Sequence, residues 1–324
     1  MKVLVTGGAG YIGSHTVRKL VKEKNEVIVF DNLSRGHIES LPRQTEFEKV
    51  DLQNQEALKN AIFKYDFDSV IHFAAFAYVE ESVKEPALYY QNNVKGTLNL
   101  LAALKDKGIK KIVFSSTCSV YGNPDIMPIS EETKTNPINP YAKTKLMIEN
   151  ILSDFDEAYD MKYVALRYFN AAGAGDDGEI GESHFPEPHL IPIIMQAALG
   201  MREKVNIYGD DYPTKDGTCI RDYIHVSDLA DAHIKALKYL ERDGSSDVIN
   251  LGTGTGYSVK EIIEKAGEIT GKEIKSDVIS RRQGDPAVLI ADNKKASEVL
   301  GWKPQYGLEE ILKTAWRWHS FPKF

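Results

Sequence analysis

Tyr141 and Lys145 are the residues of this chain whose types and spacing most directly suggest proton transfer. They are four residues apart at the start of a helical pattern that runs to Leu152, so on a helix they share one face, about one turn apart. A phenol ionises near pH ~10, but a lysine ammonium beside it favours the phenolate and lowers its pKa. Tyr-x-x-x-Lys also occurs by chance in many helices, so this interpretation requires a hydride acceptor and a third polar group elsewhere.

The N-terminal stretch predicts the hydride acceptor. A short apolar strand leads into Gly7-Gly-Ala-Gly10-Tyr-Ile-Gly13, then a helix and a second strand that ends at Asp31, which is the order of a dinucleotide-binding unit. Gly7 and Gly10 let the backbone approach a pyrophosphate at the helix N-terminus, and Gly13 lets helix and strand pack closely. Asp31 can accept hydrogen bonds from an adenosine ribose and would repel a 2′-phosphate, which predicts NAD; Arg35 nearby weakens that preference slightly.

The third polar group is expected in the Ser115-Ser116-Thr117 run, which ends a predicted strand. A hydroxyl there could hydrogen-bond the substrate oxygen that Tyr141 deprotonates. For Ser115 and Ser116, a role in capping and turning the backbone is at least as well supported, because Ser and Thr commonly bond to neighbouring backbone groups.

Strands and helices alternate along the first half of the chain. Predicted strands are Lys2–Thr6, Val27–Phe30, Phe47–Val50, Ser69–Phe73, Lys111–Phe114 and Tyr163–Tyr168, and the longest predicted helices are Pro86–Lys107 and Tyr141–Tyr159. This alternation predicts an α/β fold with a Rossmann-type, doubly wound parallel sheet. Its ligands would bind beyond the carboxyl ends of the strands.

After Asn170 the pattern changes to a polar loop and a smaller α/β region that is interwoven with the first. Its predicted helices include Leu190–Leu199 and Val259–Thr270, the latter opened by the capping box Ser258-x-x-Glu261. We expect residues 1–170 with about 221–251 to form the NAD-binding domain. The second domain would take about 171–220 with 252–324.

Composition excludes several other classes. The 324 residues carry a formal net charge of -7 without blocks of like charge, which argues against a nucleic-acid-binding face. The cysteines, Cys118 and Cys219, are far apart, which argues against a disulfide scaffold or a zinc site and fits a reducing cytoplasm. No apolar run approaches the ~20 residues of a membrane span. We therefore expect a cytoplasmic protein with no metal, no nucleic-acid partner and no membrane partner.

Three motifs resemble the extended short-chain dehydrogenase/reductase family: Thr6–Gly13, Ser115–Gly122 and Tyr141-x-x-x-Lys145. Further stretches are similar to the nucleotide-sugar 4-epimerases of that family, namely Asp31–Ser34, Ile71–Ala75, Tyr90–Thr97, Arg167–Asn170, Tyr208–Ala230 and Arg282–Asp285. Together they span nearly the whole chain. The resemblance implies an isomerase of carbohydrate metabolism that interconverts UDP-glucose and UDP-galactose, with tightly bound NAD, as a homodimer.

The resemblance also implies a mechanism. Tyr141 removes the proton of the sugar 4′-hydroxyl, Thr117 positions that oxygen, and the C4 hydride passes to NAD⁺. The 4-keto sugar then rotates, and the hydride returns to its other face. NAD is regenerated in each turnover.

Site residues follow from the same resemblance, position by position. Those on the cofactor side are Gly7, Gly10, Tyr11, Ile12, Gly13, Asp31, Asn32, Asp51, Leu52, Phe73, Ala74, Ala75, Asn92, Tyr141, Lys145 and Phe169. Those on the substrate side are Thr117, Asn170, His189, Leu190, Asn206, Tyr208, Arg221, Arg282, Asp285 and Leu289. Arg221 and Arg282 suit a diphosphate because guanidinium binds phosphate oxygens in a fork, although surface ion pairs are the alternative for both.

Two positions bear on how far the resemblance extends. Ala77 stands where many members carry a lysine close to the cofactor, so that contact is absent here. The resemblance places Leu289 beside the sugar C2 substituent, where members with a small residue accept N-acetylated substrates and members with tyrosine exclude them. The branched leucine predicts UDP-glucose and UDP-galactose as the main pair, with weak or no activity on N-acetylated sugars.

Other functions remain open at this point. Similar sugar dehydratases place Asp-Glu after the threonine, whereas this chain has Cys118-Ser119, so elimination of water lacks its carboxylates. A decarboxylase, an ordinary dehydrogenase and a non-catalytic NAD sensor are further alternatives, since fold alone does not determine function.

Overall fold

The computed structural model describes residues 1–282 and 284–324. Its strands are β1 Lys2–Thr6, β2 Glu26–Asp31, β3 Glu46–Lys49, β4 Ser69–His72, β5 Lys111–Ser115, β6 Lys162–Tyr168, β7 Asn170–Ala172, β8 Val205–Tyr208, β9 Ile220–His225, β10 Asp247–Leu251, β11 Gly256–Ser258, β12 Ser276–Ile279 and β13 Val288–Leu289. Its helices are α1 Tyr11–Lys22, α2 Gln55–Lys64, α3 Val79–Lys84, α4 Pro86–Tyr89, α5 Gly96–Lys107, α6 Pro140–Tyr159, α7 Leu190–Ala198, α8 Val226–Glu241, α9 Val259–Thr270, α10 Lys294–Leu300 and α11 Leu308–Ser320. A π-helical stretch, Tyr90–Lys95, joins α4 to α5.

A seven-stranded parallel sheet forms the main part of the molecule, in the order β10-β6-β5-β4-β1-β2-β3. Side chains of β1 alternate between its two faces. Val3 and Val5 enter one apolar cluster with α1 and α8, whereas Leu4 enters another with α2 and α5. Because both faces are covered by helices, the strands are apolar almost throughout. The predicted doubly wound sheet is confirmed.

The strand order reverses between β1 and β4, since β1 has β2 on one side and β4 on the other. In sheets of this kind, ligands bind at the carboxyl edge next to such a reversal. The residues that follow β1, β2, β4 and β5 therefore share one edge with the start of α6.

Two small sheets form the rest of the structure. β9 pairs with β7, β11 and β13, and β8 pairs with β12. A third apolar cluster packs α7, α9 and α11 together beside them. β9 belongs to a small sheet. The helix that follows it directly, α8, instead packs against α1, which covers one face of the main sheet. The chain thus crosses between the two regions more than once, and the proposed domain boundaries remain a prediction.

No helix among residues 1–282 and 284–324 combines the length and the apolar character needed to cross a membrane. Cys118 and Cys219 are free thiols, the first buried and the second partly exposed.

Candidate active site

Thr117, Tyr141 and Lys145 lie together at the carboxyl edge of the main sheet. α6 begins sharply because Pro140 occupies its first turn and the Asn139 side chain accepts a hydrogen bond from the Ala142 backbone N–H at 2.8 Å. This start places Tyr141 and Lys145 on the buried side of the helix. Thr117 follows β5; its hydroxyl accepts a hydrogen bond from the Ser119 N–H at 3.2 Å and lies near enough to the Tyr141 phenol to oppose the rise of its pKa.

Burial controls the charge state of this group. It raises the pKa of Tyr141 well above its usual value, with the nearby Tyr168 adding to the rise and the Thr117 hydroxyl opposing it. It also lowers the pKa of Lys145 to about 7, an effect that Glu149 opposes. Lys145 Nζ donates to the Ser115 carbonyl at 2.8 Å and lies 5.9 Å from the centroid of the Tyr141 ring.

These shifts correct one expectation. Lys145 was expected to lower the Tyr141 pKa, but in the protein alone that pKa is raised. The largest cause is burial, which disfavours the charged phenolate, and the same burial lowers the pKa of the Lys145 ammonium that was expected to stabilise it.

The two serines before Thr117 have structural partners. The Ser115 hydroxyl pairs with the Tyr168 hydroxyl at 2.7 Å, and Ser116 donates to Glu149 Oε1 at 2.5 Å. Glu149 in turn forms a buried ion pair with Arg167. Thr117 is therefore the residue of the run whose side chain reaches Tyr141.

The glycine-rich turn after β1 fits a dinucleotide. A Cβ on Gly13 would lie 2.2 Å from the Gly7 carbonyl oxygen, and a Cβ on Gly7 would lie 2.5 Å from the Ala74 nitrogen. Gly7 also has a φ of 71°, which side chains disfavour. Gly10 caps α1 without a side chain, and the first turn of α1 carries no acidic residue, so its backbone N–H groups suit a phosphate.

Asp31 ends β2 beside this turn, where it is buried. Its two oxygens accept hydrogen bonds from the Ala9 N–H at 3.0 Å and the Leu33 N–H at 2.8 Å, which hold the carboxylate in place. Arg35 is engaged elsewhere, since it forms a two-fold hydrogen bond with Glu81 at 2.7 and 2.8 Å and lies over Tyr78. A 2′-phosphate would have to compete with Glu81 for Arg35, so the geometry favours NAD.

The other predicted cofactor positions surround the same edge. Tyr11 donates to the Gly173 carbonyl at 2.6 Å, and Asn32 donates to Asp51 at 3.2 Å. The half-buried positions are Ile12, Phe73, Ala74, Ala75 and Asn92, and the buried ones are Leu52 and Phe169. Ala77, where the lysine is missing, is exposed.

Predicted substrate residues gather on the small sheets. Arg221 is 9% exposed and pairs at 2.5 Å with the half-buried Asp285, so the ion pair is partly buried. Leu289 lies opposite Arg221 in the β9–β13 pairing and packs against the cluster that contains Cys118 and Phe169. This brings the small sheet close to the end of β5.

The remaining substrate positions differ in exposure. The exposed Arg282 has its guanidinium 3.9 Å from the centroid of the Tyr208 ring. Asn170 and Asn206 are exposed, and Leu190 is half-buried at the start of α7. His189 bonds to Glu182 and Glu187, and its predicted role in substrate binding stays a prediction.

Sequence reasoning missed two groups. The first is the buried network of Ser116, Tyr121, Glu149, Arg167 and Asn250 behind Lys145. Its signal was the continued four-residue spacing Tyr141, Lys145, Glu149 along α6. The second is the set of acidic and histidine side chains around His189, whose signal was the alternation Glu-x-His within a short loop.

This combination of sheet, dinucleotide turn and Tyr–Lys pair defines the short-chain dehydrogenase/reductase class. A family model described as GDP-mannose 4,6 dehydratase matches residues 4–315. UDP-glucose 4-epimerase of Halalkalibacterium halodurans is 53% identical over 321 residues, which cover 99% of this chain and 96% of the relative.

Two solved structures are similar over nearly the full length. UDP-glucose 4-epimerase from Brucella ovis, in complex with NAD, has a TM-score of 0.95 and 49% identity, covering 97% of each chain. The enzyme from Bifidobacterium longum, in complex with NAD⁺ and UDP, has a TM-score of 0.95 and 38% identity, covering 99% of each chain. The chain belongs to the UDP-glucose 4-epimerase family of extended short-chain dehydrogenase/reductases, a family of NAD-dependent isomerases.

Proposed function

We propose that this protein interconverts UDP-glucose and UDP-galactose by oxidation and re-reduction at the sugar C4. The observation that carries the proposal is the burial of Thr117, Tyr141 and Lys145 together at the edge of the sheet that also holds the dinucleotide turn. The names of the relatives, and the NAD and UDP in two of the similar structures, support the cofactor and the substrate class.

NAD would be held by the turn between Gly7 and Gly13, with its adenosine ribose on Asp31. Bound there, NAD⁺ would supply the hydride chemistry at the sugar C4. Lys145 would also bond the nicotinamide ribose.

Tyr141 acts as the base that takes the 4′-hydroxyl proton and later returns it, and Thr117 orients the 4′-oxygen. Burial opposes a charge on Tyr141 or on Lys145 when either is considered alone. A phenolate and an ammonium formed together attract each other in a low-dielectric site. Lys145 therefore assists Tyr141 as the partner of a charge pair.

Between the two hydride transfers, the 4-keto sugar must rotate so that its opposite face meets the nicotinamide, while its nucleotide stays bound. Arg221 and Arg282 lie on the small-sheet side and would grip the diphosphate, with Leu289 as part of the wall around the sugar. Binding the diphosphate more firmly than the hexose lets the ring rotate about the link between them.

Elimination of water is disfavoured by the residues that follow Thr117. Cys118 and Ser119 occupy the positions where the similar dehydratases have Asp-Glu, and burial raises the pKa of the Cys118 thiol to about 12. A group with that pKa stays protonated at neutral pH and cannot replace a carboxylate base.

The test is incubation of the purified protein with UDP-galactose and no added NAD, with UDP-glucose measured by chromatography. We expect conversion to an equilibrium mixture, because the cofactor is regenerated in each turnover. Net release of NADH would indicate a dehydrogenase, and loss of water a dehydratase. No conversion even with added NAD would refute the proposal.

Two wider features belong to the same proposal. Residues 1–170 with about 221–251 form the NAD-binding domain, and about 171–220 with 252–324 form the nucleotide-sugar domain. The active unit is a homodimer.

A further inference from the structure

A cluster of four metal-ligating side chains lies outside the catalytic group, in the loop between β7 and α7. Glu182, His184, Glu187 and His189 follow each other as Glu-x-His-x-x-Glu-x-His. One ligand atom from each side chain can be chosen so that all four lie within 4.8 Å of one another. Histidine nitrogen with carboxylate oxygen is a common ligand set for zinc.

The histidine–carboxylate distances lie around those of a tetrahedral site, with Glu187 offering a different oxygen to each histidine. His189 Nδ1 lies 2.7 Å from Glu182 Oε1 and 2.9 Å from Glu187 Oε1. His184 Nδ1 lies 3.2 Å from Glu182 Oε1 and 3.7 Å from Glu187 Oε2. A tetrahedron with bonds of about 2.1 Å has edges of about 3.4 Å, which falls inside this range.

Both imidazoles present the same nitrogen, Nδ1, to the same two carboxylates. His184 Nδ1 is buried, yet it makes no aligned hydrogen bond with any described residue, despite its short distance to Glu182. A buried nitrogen in that position is costly unless it has a partner. A cation between the four groups would give His184 Nδ1 an aligned partner and would place both carboxylates on one positive charge.

The two carboxylates are buried, and the loop that carries them is anchored through its backbone. Their side chains are only 4% (Glu182) and 3% (Glu187) exposed. The Trp318 indole N–H donates to the Glu182 carbonyl at 2.9 Å, and the His189 backbone N–H donates to Glu187 Oε1 at 2.9 Å. Trp318 thus anchors the backbone of the loop at Glu182, and the His189 backbone orients the Glu187 carboxylate.

We propose that Glu182, His184, Glu187 and His189 bind one divalent transition-metal ion, of which Zn²⁺ is the best match. Four protein ligands fill a tetrahedral site, so the ion is structural and does not take part in the sugar chemistry. The expectation of no metal depended on the two cysteines and did not consider this loop.

The position of the loop indicates what the ion does. Its Ser183 carbonyl lies 3.2 Å from His37 Nε2, and the Gly173 carbonyl accepts from Tyr11 of the dinucleotide turn. His184 also packs edge-on against Tyr11 and Tyr78. The ion would therefore fix residues 182–189 against the cofactor side of the main sheet, before the chain enters α7.

The direct test uses the wild-type holoenzyme, treated with EDTA, dialysed, and titrated with ZnCl₂. We expect about one zinc per chain by mass spectrometry of the metal, and a thermal unfolding midpoint that rises with zinc. Cobalt(II) in place of zinc should give the visible absorption of a tetrahedral site. These measurements need no variant, so they remain decisive even if a variant does not fold.

Variants then assign the ligands. His184→Asn and Glu187→Gln should weaken zinc binding by at least tenfold and abolish the zinc-dependent rise of the midpoint. His37→Asn is the matched control, because it touches the same loop without belonging to the cluster, and it should bind zinc like the wild type. Wild type that binds no zinc at micromolar concentrations, or both ligand variants binding as tightly as wild type, would overturn the proposal and leave ion pairs only.

Discussion

Tyr141 is the residue on which the proposed chemistry depends most directly. Tyr141→Phe keeps the ring in its buried position and removes only the hydroxyl that exchanges the proton. We expect kcat for UDP-galactose to fall by about 10²–10⁴-fold, while the protein still folds and retains NAD. Tyr159→Phe, at the exposed end of the same helix, is the control. Near-normal turnover of the Tyr141 variant would remove this residue from the role of base.

Under the proposed mechanism, Lys145 sets the pH at which Tyr141 can act as a base. In Lys145→Met the phenolate loses its cationic partner, so its pKa rises further and the remaining activity should increase toward higher pH than in the wild type. We also expect a kcat lowered by orders of magnitude. The control, Lys143→Met, changes an exposed lysine of α6 and should leave the pH–rate profile unchanged. An unchanged pH–rate profile for the Lys145 variant would contradict the charge-pair account.

Leu289 tests substrate choice. Its branched side chain packs beside Phe169 and Cys118, and steric overlap with an N-acetyl group in a packed wall costs about 1–3 kcal/mol, or roughly 10- to 200-fold in kcat/KM. Leu289→Ser should reduce the ratio of kcat/KM for UDP-galactose to kcat/KM for UDP-N-acetylgalactosamine. Val288→Ser, whose side chain points to the other face of the strand, should not. Equal use of both substrates by the wild type would refute the exclusion.

At the scale of elements, the joint between α6 and β6 offers a direct comparison of buried and exposed ion pairs. Glu149 and Arg167 are bonded across this joint while only 4% and 7% exposed, whereas Asp156 and Lys162 join the same two elements at the surface. Removing one partner of a buried pair leaves an uncompensated charge and costs about 3–5 kcal/mol. An exposed pair contributes less than about 1 kcal/mol.

We therefore expect Arg167→Met to lower the free energy of unfolding in urea far more than Lys162→Met does. Combining Arg167→Met with Glu149→Leu should recover much of the loss, since no charge is then left buried. Equal effects of the two single substitutions would show that the buried pair does not hold α6 in place.

Long elements were predictable from the chain, and the reasons are physical. Continuous apolar runs and helical periodicity identified the parallel sheet and α6, and the capping box at Ser258 marked the start of α9. The short strands β7, β11 and β13 were not predicted, because strands of two or three residues form only where a distant strand provides their partner. Here that partner is β9. The pKa direction of Tyr141 could not be predicted, because burial depends on the packed fold and spacing does not reveal it.

At the scale of the whole molecule, the candidate site needs both parts of the fold. The main sheet supplies the dinucleotide turn and the Tyr–Lys pair, and the small sheet around β9 supplies Arg221 and Leu289. The two parts meet because Leu289 packs into the cluster that follows β5. This arrangement fits a reaction in which the cofactor stays bound to the main sheet while the sugar rotates between the two parts.

The same helices that frame the site leave apolar side chains on the surface. Val83, Leu88, Leu98 and Met147 are 61%, 40%, 44% and 43% exposed, and they belong to α3, α4, α5 and α6, which contact one another. Exposed apolar side chains on neighbouring helices are typical of a surface that another subunit covers. A two-fold axis, which pairs the surface with its own copy, provides that cover most simply.

We predict that the protein is a homodimer through this surface, and that Leu98→Glu combined with Met147→Glu makes it a monomer. Two charges on each copy would face each other across the axis, where like charges in a dehydrated interface repel strongly. Sedimentation velocity at micromolar protein measures the outcome. Met201→Glu, a charge at a 71% exposed methionine after α7, should leave the dimer intact. A monomeric wild type, or a double variant that stays dimeric, would refute this interface.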